Sequence, residues 1–320
     1  MCGVTETRRW NIELGGVRQR ITLEDAGDGV PVMVMFHGGP WSPFIYGMAY
    51  AGYYPELARH ASLLWWDQYG CGRNYERDIP SDLRVGDFAD MAVDLVRAIH
   101  RRYPHRPIVL NGFSFGTYLT MEVARRLPRM VDAVINVAPI MNMRDTLTNF
   151  DHVLSDRVSA AETRRLSRLR GQDRYDPYLS RLETLISRHT RAFSSRPAVC
   201  NGMVLRWLVR WVTSADYRLR DLWGSAMGSL PYGRGERYAA LWDSMGDIDL
   251  WPAASGATMP VLYLQGEYDR YVLPSELRDL AERRDNVRYA RIAGVGHIPD
   301  ARAWRDIESR MIRVLDRCRS

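Results

Sequence analysis

Ser114 is the central residue of Gly112-Phe113-Ser114-Phe115-Gly116, a G-x-S-x-G pentapeptide. An apolar run, Pro107 to Leu110, precedes it, and a run with helical spacing, Thr117 to Leu127, follows. Strand, sharp turn and helix in that order make a nucleophile elbow, which holds a serine strained and exposed at the edge of a sheet. Both glycines are needed sterically, because a side chain there would clash as the helix packs back on the strand. The pentapeptide alone is a weak signal, since glycine and serine are common turn residues. Its weight comes from partners elsewhere in the chain.

A serine hydroxyl is a poor nucleophile at neutral pH. It needs a base to take its proton and a third group to orient that base. On an elbow the partners come in the order serine, acid, histidine, each just after a later strand. Two late apolar runs supply them. The first ends in Gly266-Glu267-Tyr268-Asp269 and the second in Ala293-Gly294-Val295-Gly296-His297. Of seven histidines, only His297 follows a late strand in the required order, and it is assigned as the base. Glu267 and Asp269 both follow the earlier strand. Asp269 is assigned as the acid, because a carboxylate in the loop reaches an imidazole better than one on the last strand residue. The developing oxyanion needs donors. The N–H of Phe115, directly after the nucleophile, is one. The loop His37-Gly38-Gly39-Pro40 supplies the other, assigned to Gly39, with Gly38 and Trp41 beside it as candidate substrate-pocket residues. His37 precedes the serine in the chain and reads as a brace for this loop rather than as the base.

The elements that must carry these residues are legible around them. Arg9 to Leu14 and Val17 to Leu23 flank Gly15-Gly16 as a hairpin. Pro31 to Phe36, Ser62 to Trp66 and Val131 to Val137 read as buried strands. Leu83 to Tyr103 reads as a helix with Val85, Phe88, Met91, Ala92, Leu95 and Ile99 on one face. Repeated β-α-β units predict an α/β fold with a mostly parallel sheet covered by helices on both faces. The pattern changes over residues 142–250, which are rich in arginine and tryptophan and helical in spacing, and read as an inserted helical cap. The core is then divided into residues 1–141 and 251–320. Its second part holds a strand from Pro260 to Leu264, a helix from Ser275 to Arg284 with Ser275 as N-cap, a strand from Val287 to Ile292 and a terminal amphipathic helix from Ala301 to Arg317.

Composition removes other classes. The four cysteines, Cys2, Cys71, Cys200 and Cys318, are scattered and suggest neither a disulfide framework nor a thiolate metal site. No metal and no cofactor are implied. No apolar run is long enough to span a bilayer. Met1 to Leu14 lacks the apolar stretch of a signal peptide, so the expected location is cytoplasmic, with no membrane partner. The net charge is +6 and all 44 basic residues are arginine, but acids are interspersed among them, which argues against nucleic acid as a partner. The expected partner is a small molecule or a short peptide; oligomeric state is not legible.

With these motifs in place, the chain resembles the α/β-hydrolase superfamily, and within it the proline iminopeptidase-like branch. His37-Gly38-Gly39-Pro40 matches the branch's H-G-G-P loop, and Asp67-Gln68-Tyr69-Gly70-Cys71-Gly72-Arg73 is similar to its D-Q-R-G-x-G-x segment. The elbow, the acid loop and the histidine loop also match, and the likeness runs over residues 31 to 317. Ser214 to Asp221 is similar to cap sequences of the branch. The resemblance implies a Ser114–His297–Asp269 triad and hydrolysis through an acyl-enzyme. Three departures stand out: Trp41 where the branch has glycine, Phe115 where it favours tryptophan, and Tyr69 in place of arginine. Iminopeptidases of the branch hold a substrate amine with cap glutamates. Here Glu162, Glu183 and Glu236 are the only glutamates of the cap, and arginines outnumber them. Arg206, Arg210, Arg218 and Arg220 suit a carboxylate or phosphate on a substrate as well as a solvated helix surface. Trp207, Trp211, Trp223 and Trp242 suit either a cap core or a pocket wall.

The expectation is therefore a serine hydrolase acting on a small ester, amide or N-terminal peptide bond. Two alternatives stand beside it. One is a cyclase, transferase or thioesterase of a biosynthetic pathway using the same triad. The other is a ligand-binding protein that reuses the fold without catalysis.

Overall fold

The computed structural model describes residues 6–41, 56–172, 175–194, 218–229 and 238–318. The strands are β1 (Glu6–Leu14), β2 (Val17–Asp25), β3 (Val32–Phe36), β4 (Ser62–Trp66), β5 (Ile108–Phe113), β6 (Ala133–Val137), β7 (Val261–Gly266) and β8 (Val287–Ile292). They form one sheet in the order β1-β2-β4-β3-β5-β6-β7-β8. The first two are a tight hairpin, with Leu14 paired to Val17 across Gly15 and Gly16. Both glycines have positive φ, as a two-residue hairpin turn of this hand demands. The β2–β4 pair is also antiparallel, and every later pair is parallel.

Strands β3 to β6 are buried at every residue. Their alternating side chains feed two separate cores. Val32, Val34, Phe36, Leu64, Trp66 and Leu110 enter one; Met33, Met35, Leu63, Trp65 and Val109 enter the other. This is the period-2 alternation of a strand with helices on both faces. The first core is closed by α2 (Val85–Arg102) and α3 (Gly116–Arg126). The second is closed by α1 (Leu57–His60) and the terminal helix α11 (Ala301–Arg317).

Between β6 and β7 the described residues hold helices α4 (Met143–Leu154), α5 (Ala160–Arg170), α6 (Tyr175–His189), α7 (Leu219–Ser229), α8 (Ala239–Ser244) and α9 (Trp251–Gly256), and no strand of the sheet. Helix α10 (Pro274–Arg283) departs from expectation at its start. Leu273, not Ser275, is the N-cap, and its N–H donates to Glu276 Oε2 at 3.1 Å. Pro274 takes the first helical position, where its missing N–H leaves no bond unmade. No helix among the described residues is long and apolar enough to cross a membrane.

The elbow depends on close backbone approach. A Cβ built on Gly116 would lie 2.2 Å from the Phe36 carbonyl oxygen, and one on Gly112 would lie 2.5 Å from that of Gly116. These contacts seat α3 against the ends of β3 and β5. Gly86, in the first turn of α2, has open space around it. Gly116→Ala is therefore expected to cost about 3 kcal/mol or more, since backbone cannot yield as a flexible side chain does. Gly86→Ala is expected to gain about 0.5–1 kcal/mol. Urea denaturation of both variants checks this; midpoints that shift in the same direction would contradict the packing argument.

Candidate active site

Ser114 follows β5 directly, and its φ of 53° places a non-glycine residue in the left-handed region. Such a conformation costs roughly 1–2 kcal/mol and persists only where the surroundings enforce it. Here they do. The Ser114 N–H donates to Val137 O at 3.0 Å, and its carbonyl accepts the Thr117 N–H at 2.8 Å as α3 begins.

His297 and Asp269 converge on this serine from the ends of β8 and β7. His297 Nε2 lies 2.8 Å from Ser114 Oγ, and His297 Nδ1 lies 2.9 Å from Asp269 Oδ2. Asp269 is fully buried and His297 nearly so. With its proton on Nδ1, donated to Asp269, the imidazole presents a lone pair on Nε2 to the serine O–H. The other Asp269 oxygen accepts the Tyr271 N–H at 2.9 Å. Arg270 Nη1 donates to the carbonyls of Glu267 at 3.0 Å and Asp269 at 2.8 Å, which steadies the acid loop from outside. Glu267 has a different position. Its Oε2 accepts the Gly294 N–H at 2.8 Å, so it braces the loop that carries His297.

The loop after β3 lies against the serine. A Cβ on Gly38 would come within 3.2 Å of Ser114 Cβ. Neither the Gly39 nor the Phe115 N–H has a hydrogen-bond acceptor among the described residues. His37 is buried behind this loop. Its Nδ1 donates to Gly38 O at 2.7 Å and its Nε2 accepts the Gln68 N–H at 2.9 Å. Both ring nitrogens are thus committed to backbone, as a brace requires. Burial pushes the His37 pKa down to about 4. Trp41 is buried with φ 66°, held by Nε1–H donated to Tyr69 O at 2.8 Å. Its indole meets Tyr238 and Trp242 edge-on, at centroid separations of 5.3 and 6.3 Å. The tyrosine carbonyl at the departure from D-Q-R-G thus anchors the tryptophan at the departure from H-G-G-P-G.

The low pKa of His37 has a consequence for acid stability. The folded state keeps the ring neutral while the unfolded chain takes up a proton near pH 6.5. This stabilisation is complete above pH 6.5 and is lost as pH falls toward 4. By pH 5 the loss from this residue is about 2 kcal/mol. Measuring wild type and His37→Gln by urea denaturation at pH 7.5 and pH 5 isolates it. The stability gap between them is expected to shrink by about that amount, and a gap independent of pH would contradict the assignment.

Several neighbours of the base carry no signal in the sequence. The Tyr271 ring stacks on the imidazole with centroids 3.9 Å apart, and the Tyr271 hydroxyl donates to Glu183 Oε1 on α6. The backbone N–H groups of His297 and Ile298 donate to Ala192 O and Phe193 O, both at 2.8 Å. The helical segment is therefore attached to the base through backbone and side chain alike. Only the proximity of Tyr271 to Asp269 in the chain hinted at this; the contacts with Glu183 and Ala192 are long-range. Trp242 and Tyr238 pack against Trp41, whereas Trp223 is 63% exposed. Trp207, Trp211, Arg206, Arg210, Glu236, Cys2 and Cys200 lie outside the described residues. Glu162 pairs with Arg181 on α6. Among the described residues, no group of three or more His, Cys, Asp or Glu side chains is arranged to hold a metal ion.

Known proteins share this fold. The α/β hydrolase fold family matches residues 31–299. A probable aminopeptidase YbaC of Bacillus subtilis is 21% identical over 276 residues, covering 83% of this chain and 82% of that protein. Among solved structures, the proline iminopeptidase of Mycobacterium smegmatis superposes with a TM-score of 0.67 at 18% identity, covering 98% of this chain and 99% of the other. A thermophilic esterase from Thermogutta terrifontis superposes with a TM-score of 0.62 at 18% identity, covering 98% of this chain and all of the other.

Proposed function

The chain belongs to the α/β hydrolase fold family, and from that premise we propose that it is a serine hydrolase that cleaves a small ester, amide or N-terminal peptide bond through an acyl-enzyme. The observation that carries this reading is the unbroken relay from Asp269 through His297 to Ser114 Oγ, with contacts of 2.9 and 2.8 Å. Ser114 Oγ attacks the substrate carbonyl while His297 Nε2 takes its proton. Asp269 holds the imidazole in the productive tautomer and stabilises the imidazolium that forms. The N–H groups of Gly39 and Phe115 receive the oxyanion. His297 then gives its proton to the leaving group, and water resolves the acyl-enzyme by the same steps in reverse.

The insertion over residues 142–250, with its described helices α4 to α8, acts in this reading as a cap, and Trp41 with Gly38 shapes the acyl side of the site. Glu183 supports the peptide form of the reaction. It brings a carboxylate from α6 to the hydroxyl of the aromatic ring stacked on the base, the kind of group that would hold a substrate's free amine near the triad. The similarity to a probable aminopeptidase points the same way.

The test is covalent. A fluorophosphonate probe is expected to label the wild-type protein at Ser114 and to leave Ser114→Ala unlabelled; equal labelling of both sinks the mechanism. Product mass then separates hydrolysis, which adds one water, from cyclisation or transfer, which adds none.

A further inference from the structure

A second cleft opens away from the triad, where β2, the 3-10 turn Gly72–Asn74 and α7 meet. Its construction follows from two close contacts. Asn74 takes the Arg20 N–H on Oδ1 at 2.6 Å and donates Nδ2–H to Arg20 O at 3.0 Å, which pins the turn to β2. On the other side, Gly224 lets α7 sit directly on the turn: a Cβ there would lie 2.4 Å from Gly72 O and 2.6 Å from Tyr75 Cβ. The cleft between them has a volume of about 350 Å3, within the range of small-molecule sites.

Four guanidinium groups line it: Arg18 and Arg20 from β2, Arg73 from the turn and Arg220 from α7. Two carboxylates, Glu76 and Asp221, oppose them. Asp221 is already engaged, accepting the Arg218 N–H at 3.0 Å and lying 3.5 Å from Arg220 Nε. Arg73 is held in place by donating Nη1–H to Thr22 Oγ1 at 3.1 Å. Among the described residues lining the cleft, arginines therefore outnumber carboxylates four to two, with Asp67 behind the turn accepting the Arg73 N–H at 3.0 Å. Burial lowers the pKa of Arg20 below its ordinary value, and Arg220 and Arg73 lower it further against the opposing pull of Asp221. Beside these charges stand flat faces. Tyr69 and Tyr75 line the cleft, and so does Trp223, an indole left 63% exposed on α7.

Guanidinium forks match phosphate oxygens in pairs, and exposed indole and phenol rings stack on planar groups. We propose that this cleft binds an aromatic or heteroaromatic molecule bearing a phosphate, with a nucleoside monophosphate as its simplest representative. The phosphate is met by Arg20, Arg73 and Arg220, and the ring by Trp223 or Tyr75. The site is distinct from the triad yet joined to it, because Tyr69 lines the cleft and its carbonyl holds the Trp41 indole.

Titration calorimetry with AMP tests this on the whole protein, with adenosine and inorganic phosphate as the two halves of the probe. Saturable AMP binding is expected, weakening as salt rises, with each half at least about tenfold weaker. Arg20→Gln is expected to weaken AMP about tenfold or more. Trp223→Ala, whose exposed side chain is not needed for folding, should weaken AMP severalfold and leave inorganic phosphate unaffected. Ser114→Ala should bind AMP as wild type does. No saturable binding of AMP at millimolar concentration would overturn the proposal. So would unchanged AMP affinity in Arg20→Gln and Trp223→Ala, or phosphate binding as tightly as AMP. Loss of AMP binding in Ser114→Ala would move the ligand to the triad and overturn the separate site.

Discussion

Replacing Ser114 by alanine is expected to lower kcat on a p-nitrophenyl ester by a factor on the order of 10^5 to 10^6, or about 7–8 kcal/mol of barrier. The oxygen removed is the one that lies 2.8 Å from His297 Nε2. On the proposed mechanism no acyl-enzyme forms without it, and what remains is attack by water assisted by the oxyanion donors, worth roughly 10^3 over the uncatalysed reaction. Substrate binding does not use this hydroxyl, so KM should stay near the wild-type value. Stability should also stay close, since alanine at φ 53° bears strain comparable to serine. Steady-state kinetics on the purified variant, with a thermal melt to establish folding, give the answer. Retention of more than about one per cent of kcat would remove Ser114 from the nucleophile's role.

Exchange of Asp269 for asparagine is expected to have the next largest effect, about 10^4-fold in kcat. The amide fills the same buried space, and its oxygen can still accept the Tyr271 N–H that now reaches Oδ1 at 2.9 Å. Its NH2 then faces His297 Nδ1, which must become the acceptor. The proton moves to Nε2, and the ring can no longer take one from Ser114. The informative control is Glu267→Gln. Its oxygen can still receive the Gly294 N–H, so less than about a tenfold loss is expected. If the two losses were exchanged, the acid would be Glu267 and the 2.9 Å contact to Asp269 would be incidental.

Much of the molecule is legible in the residues themselves. The hairpin at Gly15-Gly16, the buried strands β3 to β6, the later strands β7 and β8 and the terminal helix α11 follow from local rules. An apolar run buried on both faces must be covered by helices, and an amphipathic stretch must find a core. Loop position favours Asp269 over Glu267 as the partner of His297; in the structure Asp269 lies 2.9 Å from His297 Nδ1 and Glu267 accepts the Gly294 N–H. What failed at α10 failed for a local reason. A helix starting at Ser275 leaves Pro274 outside, whereas its fixed φ and missing N–H suit the first helical position it occupies.

The contacts around the base belong to a different order of information. Tyr271 stacks on His297 because α6 brings Glu183 to its hydroxyl, a contact between residues 88 apart in the chain. Trp41 is locked because Tyr69 turns its carbonyl toward the indole. The arginines on β2, the turn and α7 share a cleft because Gly224 lacks a side chain and α7 can rest on Gly72. By itself the sequence determined the order of strands and helices, the elbow at Ser114 and the residue types able to act as base and acid, since these depend on short-range sterics and on chemistry intrinsic to each side chain. Tertiary structure alone decided which ring lies on the imidazole, which carbonyl anchors Trp41 and which charges confront one another. Those outcomes depend on long-range packing, where a shift of a few tenths of an ångström between two backbones decides whether two groups meet.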